Sequence, residues 1–332
     1  MERDMNRIVL ESFRGCAQVR AEGRTVFSLC RGPRDLPNGI PNNLQTRFPT
    51  ASAGKAFVAT AVLQLVDQGR LSLDDRLSAV LALEADGIGS ATIRQLLNHT
   101  SGVPDYFDES LMNDYTQLWT DLPNYRIRRN SDLFPLFMHK PMMYVPGERF
   151  QYNNSGYVLL AAVLEQRTGQ PFDELLQRAV FEPAGMSRTG YYELDRLPEN
   201  CANAYIWDEK RQEYYSNIFS VDGKGTGAGG AYTTAEDVGR FWDALLGGLV
   251  SPEMLREMTA VQAQDGDGAA YGYGLWLKRR KGALLPYFTG SDPGVSFVSI
   301  CCPEHRMDVT VVSNFGDDVW TVRDALLDEY LR

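Results

Sequence analysis

Ser52 and Lys55 stand three residues apart at the mouth of Pro49 to Gly69, PTASAGKAFVATAVLQLVDQG. On a helix that spacing puts both side chains on one face, within reach of each other. A serine hydroxyl is a weak nucleophile until a neighbour takes its proton, and a lysine in enclosed apolar surroundings has its pKa lowered enough to help. A serine in the first helical turn also gains unpaired backbone N–H groups and the positive end of the helix dipole, both suited to an oxyanion. The same S-x-x-K spacing also fits a helix that begins with a serine cap and carries one rim lysine. The pair alone does not decide.

A second stretch, Pro146 to Tyr157 (PGERFQYNNSGY), places Tyr152 and Asn154 two apart in an extended segment ahead of a helix. Residues so spaced project to the same side. A tyrosine held near a lysine ammonium can be driven toward phenolate, act as general base and later protonate a leaving group. An asparagine can orient the lysine or a substrate amide. The plainer alternative is a half-buried tyrosine with a satisfied hydroxyl beside a capping asparagine.

These residues need a scaffold. From Ala53 to Val66 nearly every residue is apolar or small, which predicts an enclosed helix ended by Gly69. Gly15 to Ala21 and Thr25 to Cys30 alternate as a hairpin turning at Glu22-Gly23, and a turn-rich connection follows. Between Leu71 and Phe181, short helical segments at Ile93 to Asn98, Ser131 to Phe137 and Tyr157 to Thr168 are joined by long polar loops. Gly223 to Tyr232 is glycine-rich, and Thr233 or Thr234 caps a helix running to Leu246. Lacking a G-K-[ST] ending, that loop reads as a tight turn near the site rather than a phosphate cradle. Gly272 to Lys278, Ala283 to Thr289, Val295 to Cys301 and Met307 to Ser313 read as strands before a closing helix near 317–331. The expected fold is α/β of the α+β type, an antiparallel sheet flanked by helices. Its sheet domain takes residues 1–75 and 205–332, its mainly helical lobe residues 76–204, and the cleft lies between them.

The chain of 332 residues carries a formal net charge of −10, which argues against nucleic acid and anionic membrane surfaces as partners. No apolar run approaches a spanning length, and MERDMNRIVLESF is too polar for the core of a signal peptide, so a cytoplasmic protein is expected. Of five cysteines, Cys16 and Cys30 can face each other across the hairpin; in a reducing compartment free, buried thiols are expected. His99, His139 and His305 are scattered, which gives no metal ligand set.

The order S-x-x-K, then Y-x-N, then a strand with a glycine-containing triad resembles the penicillin-recognising serine hydrolases: class C β-lactamases, D-alanyl-D-alanine carboxypeptidases and related esterases. Leu96 to Gly102 (LLNHTSG), Pro146-Gly147, Gly229-Gly230 and Tyr271 to Gly274 are similar to the same family. The resemblance implies Ser52 as acylated nucleophile, Lys55 as its activator, Tyr152 as second base and Asn154 as contact to lysine and substrate. It implies an oxyanion hole from the backbone N–H groups of Ser52 and Ser291, and assigns His99 to packing. Where the family carries Lys-Thr-Gly or His-x-Gly, this chain reads Phe288-Thr289-Gly290, expected along the substrate. Phe288 cannot hold a substrate carboxylate, and losing such a charge-assisted contact costs roughly 1.5–3 kcal/mol. The expected function is therefore a serine hydrolase working through an acyl-enzyme, on an ester or amide rather than as an efficient β-lactamase. It needs no cofactor and takes a small molecule or short peptide. A penicillin-binding or ligand-sensing module without turnover is the alternative, and oligomeric state stays open. The aromatic-rich stretch from Tyr106 to Tyr144, with Trp119 and Tyr125, is expected to line the pocket.

Overall fold

The computed structural model describes residues 12–82, 87–112 and 115–331. Residues 1–11, which carry most of the argument about export, and two positions of the aromatic-rich stretch lie outside them. Both ends of the chain build one eight-stranded sheet. Its strands are β1 (Gly15–Ala21), β2 (Arg24–Arg31), β3 (Ala263–Gln264), β4 (Ala270–Tyr271), β5 (Trp276–Arg280), β6 (Ala283–Asp292), β7 (Val295–Cys302) and β8 (Met307–Ser313). The spatial order is β2-β1-β8-β7-β6-β5-β4-β3, and neighbours are antiparallel. The first hairpin joins the last strands through β1 and β8, with Ala17 opposite Val311.

Alternation along the strands sorts side chains to two faces. Val298, Ile300, Val309 and Val311 pack against α4 (Val319–Tyr330). Phe288, Phe297, Cys301 and Val312 join the larger core with α1 (Lys55–Asp67) and α3 (Ala235–Ala244). α2 (Asn154–Thr168) packs beside α1. Helix α1 starts later than its apolar run suggests. Ser52 belongs to a 3-10 turn, Ala51–Gly54, held by Thr50 N–H on Ala231 O and by Gly230 N–H on Ala51 O. Ala51 takes φ +47°, where an L-residue pays about 1–2 kcal/mol, so α-helix cannot run back through it. Residues Asn130–Leu136 form a 3-10 helix with Pro135 inside it. A hairpin of Tyr205–Asp208 and Glu213–Ser216, unforeseen in the sequence, leads into Asn217, which lines the cleft.

The cysteines need a correction. Cys16 and Cys30 are direct cross-strand partners with Cα atoms 4.2 Å apart, and they form a disulfide in place of two free thiols. Cystines persist in oxidising compartments, which weighs against the reducing one expected. Cys201, Cys301 and Cys302 are free. Among the described residues no helix is long and apolar enough to cross a membrane.

Candidate active site

Three segments converge at the mouth of α1. Lys55, its first residue, is 1% exposed and its Nζ donates to Ser52 Oγ (3.0 Å), Asn154 Oδ1 (2.9 Å) and Ala228 O (2.5 Å). That uses all three ammonium donors. Burial lowers the amine to about 8, against the opposing pull of Glu109, Asp105 and Asp292. Tyr152 lines the cleft together with Ser52, and Lys55 Nζ lies 4.9 Å from the Tyr152 ring centroid. The phenolate expectation is reversed here. Burial pushes the Tyr152 phenol well above its ordinary value, so at neutral pH it keeps its proton. The buried lysine is the group with the lowered pKa.

Asn154 is held by a residue the sequence reading missed. Asp105, 7% exposed, accepts from the N–H of Asn154 and of Ser155 (2.9 Å each) and from Ser155 Oγ (3.1 Å). Asn154 Nδ2 donates to Phe107 O at 3.2 Å, which turns Oδ1 toward Lys55. Burial raises Asp105 to about 6. The Asp beside Tyr106, soon after the LNHTSG run, was the available signal, because an acidic side chain suits the open N–H groups of a helix start.

The glycine-rich loop brings the Ala228 carbonyl to Lys55, and close approach explains two glycines. A Cβ on Gly229 would stand 2.3 Å from Ala51 O, and one on Gly290 would stand 2.3 Å from Thr50 O and 2.7 Å from Ser52 N. Strand β6 thus presses its end against the turn that carries Ser52. Asp292 opposite Val295 closes the two-residue loop Pro293-Gly294, so Ser291 and Ser296 form the non-hydrogen-bonded pair and Ser291 N–H points away from β7.

Thr289, Gly290 and Ser291 line the cleft. Phe288 does not, and its expected place along the substrate is corrected. It is 1% exposed, with ring centroids of Trp242, Phe241, Phe297 and Phe57 at 5.1, 5.7, 5.8 and 6.1 Å. Strand alternation sends it to the α1 and α3 face, where an aromatic cage fills the volume.

The cleft holds about 780 Å³. Tyr106, Phe107 and Tyr115 supply its aromatic wall from the expected stretch; Trp119 stands behind Tyr115 at 5.4 Å, and Tyr125 is 61% exposed. Glu109, Asp222, Asp265 and Asp292 also line it, and no Lys, Arg or His does among the described residues. Burial raises Asp292 to about 7 and Asp222 to about 8, the latter also through the nearby Asp292 charge.

A hydrolase of the acyl-enzyme kind is the class that this fold and cleft bring to mind, and the comparisons agree. The profile of the beta-lactamase family matches residues 13–330, and the chain belongs to that family. It is 28% identical over 324 residues to penicillin-binding protein 4* of Bacillus subtilis, covering 92% of this chain and 69% of that one. It is 27% identical over 304 residues to the D-aminopeptidase of Brucella anthropi, spanning 91% of this chain but only 56% of the relative. A solved penicillin-binding protein of Bacillus halodurans superposes with a TM-score of 0.93 at 38% identity, covering 98% and 100% of the two chains. The D-amino acid amidase of Ochrobactrum anthropi SV3 shares the fold, with a TM-score of 0.82 at 22% identity over 100% and 99%.

Proposed function

We propose that the protein is a serine amidase or peptidase of the beta-lactamase family, acting through an acyl-enzyme on small amides or esters that carry an amino group near the scissile carbonyl. The hydrogen bonds joining Ser52, Lys55 and Asn154 carry this reading. In it, the neutral fraction of Lys55 takes the Ser52 proton as Oγ adds to the carbonyl carbon. The N–H groups of Ser52 and Ser291 receive the developing oxyanion. Tyr152, a phenol at rest, relays the proton to the departing amine or alcohol, and water then releases the acid and restores Ser52. Residues 1–75 with 205–332 form the sheet domain in this reading, and residues 76–204 the helical lobe across the cleft.

The substrate class follows from charge. Four carboxyl groups face the cleft, Asp222 mostly and Asp292 partly protonated at neutral pH, and the remaining negative charge on the walls would repel a substrate carboxylate held away from the Lys55 ammonium beneath Ser52. An ammonium would gain charge-assisted contacts, each about 1.5–3 kcal/mol or roughly 10- to 150-fold in affinity. The D-aminopeptidase and D-amino acid amidase among the relatives fit the same chemistry.

A fluorophosphonate probe read by intact mass tests the reaction: one label is expected, absent in Ser52→Ala. Turnover of D-amino-acid amides, their N-acetyl counterparts and a cephalosporin tests the substrate. The free amines should lead by about tenfold or more. Labelling without turnover of any substrate would favour the sensing module, and no labelling at all would end the serine-hydrolase reading.

A further inference from the structure

His99 is buried (1% exposed), takes φ +61° and has no role in the steps above. Its backbone carbonyl accepts from Gln151 N–H at 2.9 Å, and its Nδ1 accepts from Asn153 N–H at 3.1 Å. Gln151 and Asn153 flank Tyr152. The His99 ring lies 4.4 Å from the Tyr152 ring, centroid to centroid, with Tyr271 at 4.7 Å and Tyr157 at 5.1 Å around it. Since Nδ1 accepts, the proton of the neutral ring sits on Nε2, which has no hydrogen-bond partner among the described residues.

The geometry points to His99 as a positioning residue that grips the backbone on both sides of Tyr152 and seats the phenol against Ser52. The extended segment 151–153 has no regular secondary structure to fix it, and α2 begins only at Asn154. Without the Nδ1 acceptor, Asn153 N–H loses its partner and Tyr152 is held from one side. Displacement of a proton-relaying group by about 1 Å costs on the order of 10²-fold in rate. This role rests on the proposed reaction, but the clamp itself can be read without it.

Two variants separate the acceptor from the backbone conformation. Asparagine and glycine both tolerate a positive φ, but only asparagine sets an oxygen where Nδ1 stood. In His99→Asn, kcat for a nitrophenyl ester should stay within about fivefold of the parent. In His99→Gly it should fall about 10²-fold with KM little changed. Hydrogen–deuterium exchange of the peptide spanning 150–154 should rise about tenfold in His99→Gly and not in His99→Asn, the loss of roughly one hydrogen bond. Equal kcat and equal exchange in the two variants would overturn the assignment. So would faster exchange spread over the whole sheet, which marks general destabilisation. If the parent protein fails to label at Ser52, the proposed reaction falls, and the exchange data still decide the clamp.

Discussion

Lys55 and Phe288 are equally buried, each 1% exposed, and Phe57, two residues after Lys55, packs its ring 6.1 Å from that of Phe288. Their surroundings are opposite. Lys55 meets a hydroxyl, an amide oxygen and a carbonyl, whereas Phe288 meets four aromatic rings. Burial of the lysine works against stability and, in the proposed reaction, makes the amine useful as a base. Burial of the phenylalanine contributes stability and nothing to the chemistry. Depth alone therefore says little about role, and the partners decide it.

Lys55→Met sharpens the contrast most. Acylation by the fluorophosphonate probe should fall about 10³-fold or more. The melting temperature should hold or rise, because an amine lowered from 10.5 to about 8 costs the native state on the order of 3 kcal/mol at neutral pH. The sign is that of a depressed base: the unfolded chain binds the extra proton, so the cost is complete below pH 8 and gone above 10.5. A large drop in melting temperature would break the comparison.

Phe288→Ala should do the reverse, losing about 3–5 kcal/mol of stability in denaturant titrations. Labelling of the fraction that remains folded should change by less than about tenfold. Phe288→His, which the bare motif would favour as a gain of a cation in the site, should destabilise as well and leave β-lactam acylation unimproved, since the side chain faces the aromatic cage. Faster acylation in a folded Phe288→His protein would mean that the strand can turn this side chain to the cleft.

The smaller effect is in pH. If neutral Lys55 is the base, the acylation rate should rise with pH to a midpoint near 8, from about one tenth of its limit at pH 7. A flat profile between 7 and 9 would hand the base role to another group.

The helix mouth was legible because its information is local. The spacing of Ser52 and Lys55 sets their contact, and the apolar run to Val66 sets the enclosure. The strands from Ala283 to Ser313 were legible from their turns for the same reason. The side to which Phe288 points was not, because a strand offers two faces and only the distant residues Phe57, Phe241 and Trp242 tell which is filled. Asp105 escaped notice because its value lies in N–H groups 49 and 50 positions away. The state of Tyr152 depended on how deeply a whole cleft wall covers it, a property no short motif records.

The bond between Cys16 and Cys30 lies on the outermost pair of strands, 14 positions apart and away from the cleft. A staple at the margin acts on endurance rather than on speed: cutting it with a thiol should remove about 3 kcal/mol of stability while the rate of a freshly reduced sample stays the same. Alkylation of the denatured chain should tag three sulfurs before reduction and five after. The same polypeptide would then turn over equally well on either side of a membrane and survive longer on the oxidising side.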